Sequence, residues 1–140
     1  MEFSGELVDN YDHSDEGLVK MFEGKVPVDI EVDHSEIKFK FSDGSFAHMF
    51  HSQECCECVT LEDINGDFND LLNKPILVAE VRTNRGTLED YDSCTWTFYT
   101  FRGIGGSVDL RWYGTSNGYY SESVDLEWYI PETAMREEWT

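Results

Sequence analysis

Apolar and polar residues alternate through much of this chain, and short turn signals interrupt the alternation. That pattern constrains the fold more than any other feature. Val26, Val28, Ile30 and Val32 are separated by polar residues or Pro27. A period of two belongs to a half-buried strand, because successive side chains point to opposite faces. Pro27 predicts an edge position or a strand start, since proline cannot donate to a ladder. Asp33-His34-Ser35 reads as a turn. Ile37, Phe39 and Phe41 then alternate with Lys38 and Lys40. Asp43-Gly44 is a hairpin signal, because the central residues of a type I′ turn need positive φ. Ser45 to Phe50 is the expected return strand, with Phe46, His48 and Phe50 on one face. Together these segments predict a three-strand antiparallel meander.

The period then changes. Leu61, Ile64, Phe68, Leu71 and Leu72 fall at helical spacing. Asn65-Gly66 interrupts them, so the expectation is one turn, a break, and a helix from about Asp67 to Asn73. Pro75 closes it. Ile76 to Arg82 reads as a strand and residues 83–93 as a loop. Cys94 to Phe101 is β-branched and aromatic, which favours a strand. Gly103, Gly105 and Gly106 mark a turn rather than a phosphate loop, because no Lys-Ser/Thr ending follows. Val108, Leu110 and Trp112 form the next strand. Asn117-Gly118 is a second hairpin signal, returning through Tyr119 to Trp128 with Val124 and Leu126 buried.

The predicted class is α+β: a mainly antiparallel sheet of about seven strands with one short central helix. The expected organisation is an acidic N-terminal arm over residues 1–19, a single α+β domain over 20–130, and an acidic C-terminal tail over 131–140.

Charge narrows the function. The chain has 10 Lys+Arg against 29 Asp+Glu, a formal net charge of −19. A basic face for phosphate backbones needs clustered cations, so direct nucleic-acid binding is not expected. Anionic membrane surfaces are disfavoured for the same reason. The chain is 40% hydrophobic and 14% aromatic, which separates it from disordered acidic chains. No apolar run reaches the roughly 18–20 residues that span a bilayer. The N-terminus lacks the basic and apolar regions of a secretory signal. The expected compartment is therefore the cytoplasm, where the four cysteines serve as thiols or metal ligands rather than bridges.

His48, His51, Cys55 and Cys58 are the candidate metal ligands. Thiolate and imidazole suit zinc, and two cysteines three apart converge readily on one ion. Zinc is the one cofactor this pattern suggests. The competing reading makes the cysteines small buried hydrophobes. A cysteine nucleophile is disfavoured, because a negative field raises the thiol pKa. Asp63-x-Asn65-x-Asp67 starts like a calcium loop. It then places Phe68 and Lys74 at the sixth and twelfth positions, where glycine and glutamate are required. Capping by these side chains is the better reading. No catalytic set is assigned, and the chain is not expected to be an enzyme.

Tyr113, Tyr119 and Tyr120 lie near a predicted loop tip. Tyrosine offers contact area at low entropic cost, so they are candidates for a recognition surface. Cross-strand pairing that fixes register is the alternative.

Three stretches are distinctive: His51-Ser52-Gln53-Glu54-Cys55-Cys56-Glu57, Glu62-Asp63-Ile64-Asn65-Gly66-Asp67, and Arg111-Trp112-Tyr113-Gly114 with Ser116-Asn117-Gly118-Tyr119-Tyr120-Ser121-Glu122. They resemble a family of small, uncharacterised bacteriophage and prophage proteins. The likeness covers residues 24–128. It implies no activity, but it implies that His51, Cys55, Cys56 and Glu57 act as one unit. Cys58 departs from the family's vicinal pair.

The functional expectation is a phage-type binding protein that inhibits a host protein through an acidic, nucleic-acid-mimicking surface. The expected partner is basic, such as a nuclease or another nucleic-acid-binding defence factor. Candidate contacts are Asp12, Asp15, Glu16, Glu89, Asp90, Asp92, Glu122 and Asp125, with Tyr113, Tyr119 and Tyr120. An acidic surface that serves solubility alone is the competing explanation. One alternative is a nucleotide-signal sponge, with the aromatic hairpin stacking a base and Arg82, Arg85, Arg102 or Arg111 meeting phosphate. The other is a zinc-binding protein using the His/Cys cluster.

Overall fold

A computed structural model describes residues 6–7, 15–53, 56–87, 93–117 and 122–131. Strand β1 spans Glu6–Leu7 and helix α1 spans Asp15–Lys20. Strands β2 (Pro27–Asp33), β3 (Glu36–Phe41), β4 (Phe46–Phe50) and β5 (Cys58–Asn65) follow. After a 3-10 turn at Phe68–Asp70 come β6 (Ile76–Thr87), β7 (Ser93–Gly103), β8 (Gly106–Ser116) and β9 (Asp125–Ile130). The first sheet has the order β1-β9-β4-β3-β2 and the second β5-β8-β7-β6. All pairings are antiparallel. The protein is thus β-rich, with two sheets where one was expected.

The meander of β2, β3 and β4 forms as the alternation predicts. Gly44 turns the β3–β4 hairpin at φ 88°, a conformation that glycine adopts without a Cβ penalty. Pro27 opens β2, which is an edge strand. That position explains why Val28 and Val32 are 39% and 44% exposed despite the alternation.

The central helix is not formed. Leu61 and Ile64 lie on strand β5, and only the 3-10 turn remains beyond it. Asp67 caps that turn, accepting the Asn69 amide at 2.9 Å. β6 runs on to Thr87 and β7 starts at Ser93, shortening the expected loop from both ends.

The chain after Asn117 also takes another course. The expected return strand should pair with β8. Instead β8 is flanked by β5 and β7, so neither edge is open. β9 crosses to the first sheet and pairs with β4 and β1. At the N-terminus, β1 pairs with β9 and Val19 of α1 is buried, so the described parts of the expected arm, residues 6–7 and 15–19, contribute to the fold. The predicted C-terminal tail beyond Pro131 lies outside the described residues.

Phe22, just after α1, ties the layers together. Its ring lies 5.1 Å from Phe39 and 4.7 Å from Trp128 in the first sheet. It lies 4.7 Å from Phe101 in the second. Ile37, Phe39, Met49 and Trp128 from one sheet meet Ala79, Tyr99, Phe101, Leu110 and Trp112 from the other in a single core. Trp128 also donates its Nε1–H to the Leu18 carbonyl at 2.9 Å, fastening α1.

Candidate functional site

Among the described residues, the expected zinc ligands His48, His51 and Cys58 form no metal-binding group. His48 lies on β4, where its Nε2 is 2.5 Å from Glu36 Oε1 and its ring stacks 4.2 Å from Phe50. His51 turns to the interior, where Nδ1 donates to the Ser123 carbonyl at 2.8 Å. Its Nε2 lies 3.4 Å from Glu57 Oε2, and both side chains are buried. Cys58 is an exposed free thiol on β5. Cys56 is disulfide-bonded, against the expectation of free thiols or ligands. Cys55 lies outside the described residues. Among the described residues, no three His, Cys, Asp or Glu side chains are placed to hold a metal ion.

Within this segment, His51 and Gln53 both reach Glu57. Gln53 donates its side-chain amide to the Glu57 carbonyl. The Ser52 amide donates to Asp125 Oδ2 at 2.9 Å. His51 and Ser52 therefore join the β4–β5 connection to the segment that enters β9.

Glu122 is not a surface contact. It is 9% exposed, and its carboxylate accepts from Thr95 Oγ1 at 2.7 Å and from the hydroxyls of Ser93 and Ser116. Burial raises its pKa. The hydroxyls of Ser116, Ser93 and Thr95 and the charge of Arg85 act against burial and prevail, holding the carboxyl below its ordinary 4.5. Sequence reasoning treats an acid as solvated, and so it missed this role. The signal was present in the hydroxyls of Ser93, Thr95 and Ser116.

The other predicted contacts are dispersed. Glu16 is exposed on α1, and Asp125 is half-buried. Asp15 opens α1. Asp12, Glu89, Asp90, Asp92, Tyr119 and Tyr120 lie outside the described residues. Tyr113 is half-buried, with its ring 4.8 Å from Trp96. Burial and the neighbouring Cys94, Glu62 and Glu122 push its phenol above the ordinary range.

Acidic residues instead mark two edge strands. Asp29, Glu31 and Asp33 are exposed at every second position of β2. Glu62 and Asp63 are exposed on β5. Lys40 and Lys38 stand opposite Asp29 and Glu31, whereas Asp33 stands opposite Glu36. Glu36 itself lies 3.5 Å from Lys38 Nζ and 2.5 Å from His48 Nε2, so Asp33 is the acid of the row with no lysine directly opposite it. Edge acids also discourage sheet-to-sheet aggregation, which is their simplest physical role.

Residues 20–126 match the model of a domain of unknown function, DUF7448. The chain belongs to the DUF7448 family. No curated protein and no solved structure matches it. No helix among the described residues is long and apolar enough to cross a membrane.

Proposed function

We propose that this DUF7448 protein is a non-enzymatic binding protein whose acidic surface engages the basic face of a host protein. The observation that carries the reading is the row Asp29, Glu31 and Asp33 on edge strand β2. Alternate residues of a strand are roughly 6.6 Å apart, so the row offers regularly spaced carboxylates along one face of the edge strand. Net charge of −19 supplies the long-range field that would steer a basic partner. The phage-type context comes from the motif resemblance, and a nucleic-acid-binding defence factor as partner from the likeness of spaced carboxylates to a phosphate backbone. They belong to the proposal.

The test is affinity capture from a bacterial lysate at low and high salt. The wild type should retain a basic protein at low salt and release it at high salt. Asp29→Asn/Glu31→Gln/Asp33→Asn should fail to retain it. A charge-matched variant, Asp63→Asn/Glu80→Gln/Asp109→Asn, should retain it. Equal capture by the edge variant would overturn the reading.

A further inference from the structure

The second sheet carries a face of different character. Ala79, Tyr99, Phe101, Leu110 and Trp112 point into the core. Their neighbours on the same strands therefore point outward. The outward side chains of β8, β7 and β6 fall into cross-strand rows. Tyr113, Trp96 and Asn84 form one row. Arg111, Phe98 and Arg82 form the next.

This face concentrates a scarce residue. Every arginine among the described residues lies in this sheet, and Arg82, Arg102 and Arg111 share its outer side. The guanidinium carbon of Arg82 lies 5.4 Å from the centroid of Phe98. Arg82 makes no ion pair with any described residue, and it is exposed. Arg111 places one nitrogen 2.9 Å from Glu62 Oε1. Trp96, Phe98 and Tyr113 are half-buried, so each ring retains accessible surface.

We propose that this face is a binding site for a free nucleotide. The base stacks on the Trp96–Tyr113 row. The phosphate meets Arg82, with Arg111 on the far side of Phe98. The two arginines stand two strand spacings apart, about 10 Å between Cα atoms, so their long side chains can converge on one phosphate. A ligand that is both aromatic and anionic satisfies both rows, whereas an apolar peptide brings no counter-charge to Arg82. The surrounding negative field selects against a polyanion. A nucleic-acid strand brings many charges into that field, while a mononucleotide brings about two. The inference goes beyond the acidic-edge function and is independent of it.

The test is a thermal-shift and tryptophan-fluorescence titration with AMP, GMP, CMP and UMP, alongside their nucleosides, inorganic phosphate and a single-stranded oligonucleotide. At least one mononucleotide should raise Tm and quench fluorescence in a saturable way. Its nucleoside and phosphate alone should do much less. Trp96→Ala and Arg82→Gln should each weaken binding about tenfold or more. Arg82 is exposed, so Arg82→Gln should fold normally. Lys38→Gln, on the first sheet, should bind as the wild type does. No saturable binding of any mononucleotide at millimolar concentration would overturn the proposal. So would binding that survives Arg82→Gln unchanged. An oligonucleotide bound more tightly than every mononucleotide would overturn the choice of a free nucleotide.

Discussion

Gly114 on β8 lies directly beneath the backbone of Glu122. A Cβ at Gly114 would stand 2.7 Å from the Glu122 carbonyl oxygen and 3.0 Å from Glu122 Cβ. It would also stand 3.0 Å from Val59 Cγ2. Two of these contacts belong to backbone and Cβ atoms that cannot swing away. The close approach lets Glu122 pack on the sheet and present its carboxylate to the hydroxyls of Ser93, Thr95 and Ser116. Gly114→Ala should therefore destabilise the fold by about 1–3 kcal/mol through overpacking. Gly114→Val should cost more. Urea denaturation followed by circular dichroism measures both.

The Glu122 carboxylate links stability to pH. Its pKa in the folded state is below its unfolded value. The stabilisation is thus fully present above the ordinary glutamate range and is lost as pH falls through the lowered folded value. Glu122→Gln should flatten that part of the acid limb. It should also lower stability at neutral pH, because an amide replaces a charged acceptor of hydroxyl bonds. Stability curves from pH 7 to pH 3 distinguish the two effects.

The buried contact between His51 and Glu57 predicts a large mutational cost. Their side chains are 5% and 0% exposed, with nitrogen and oxygen 3.4 Å apart. Removing one partner of such a pair leaves a buried polar or charged group behind. His51→Ala or Glu57→Ala should each cost about 1–3 kcal/mol, the penalty of leaving a buried polar group without its neighbour. The double variant should cost less than the two single costs added, because the groups are coupled. A double-mutant cycle in urea measures the difference.

Much of the meander was legible because β3 alternates strictly and Gly44 turns it into β4, although the core face of β4 is Ala47 and Met49. β5 was not, and its register shows why. A bulge lies between Leu61 and Asp63, so Leu61 opposes Trp112 and Ile64 opposes Leu110. The extra residue brings Leu61 and Ile64 to the same face at a spacing of three, which imitates a helix. The destination of β9 was equally hidden. Asn117-Gly118 marks a reversal, but no local signal states that both sides of β8 are taken. Of the candidate site, the His51–Glu57 unit was visible as a motif, although its burial was not. The outer face of the second sheet depends on register between distant strands, which composition does not reveal.

Tyr129 supplies a spectroscopic check on the β9 environment. Its hydroxyl donates to Glu127 at 2.8 Å. Burial, then the Glu127 hydrogen bond and charge, push its pKa up to about 12. A raised folded value means this contribution is present at lower pH and is lost as pH rises through that range. Absorbance titration of the tyrosinates should show Tyr129 ionising late, near that value, beside the raised phenol of Tyr113. Glu127→Gln should bring that step to lower pH, whereas an unchanged titration would contradict the assigned contact.

The acidic-edge account is tested most directly by the salt dependence of affinity for the captured partner. Binding of the wild type and of Asp29→Asn/Glu31→Gln/Asp33→Asn should be measured across a range of ionic strengths. The account predicts that wild-type affinity falls steeply as salt rises, because screening shortens the reach of exposed charges. It also predicts that the edge variant binds weakly with a shallower slope. Equal affinities and equal slopes for the two proteins would contradict it.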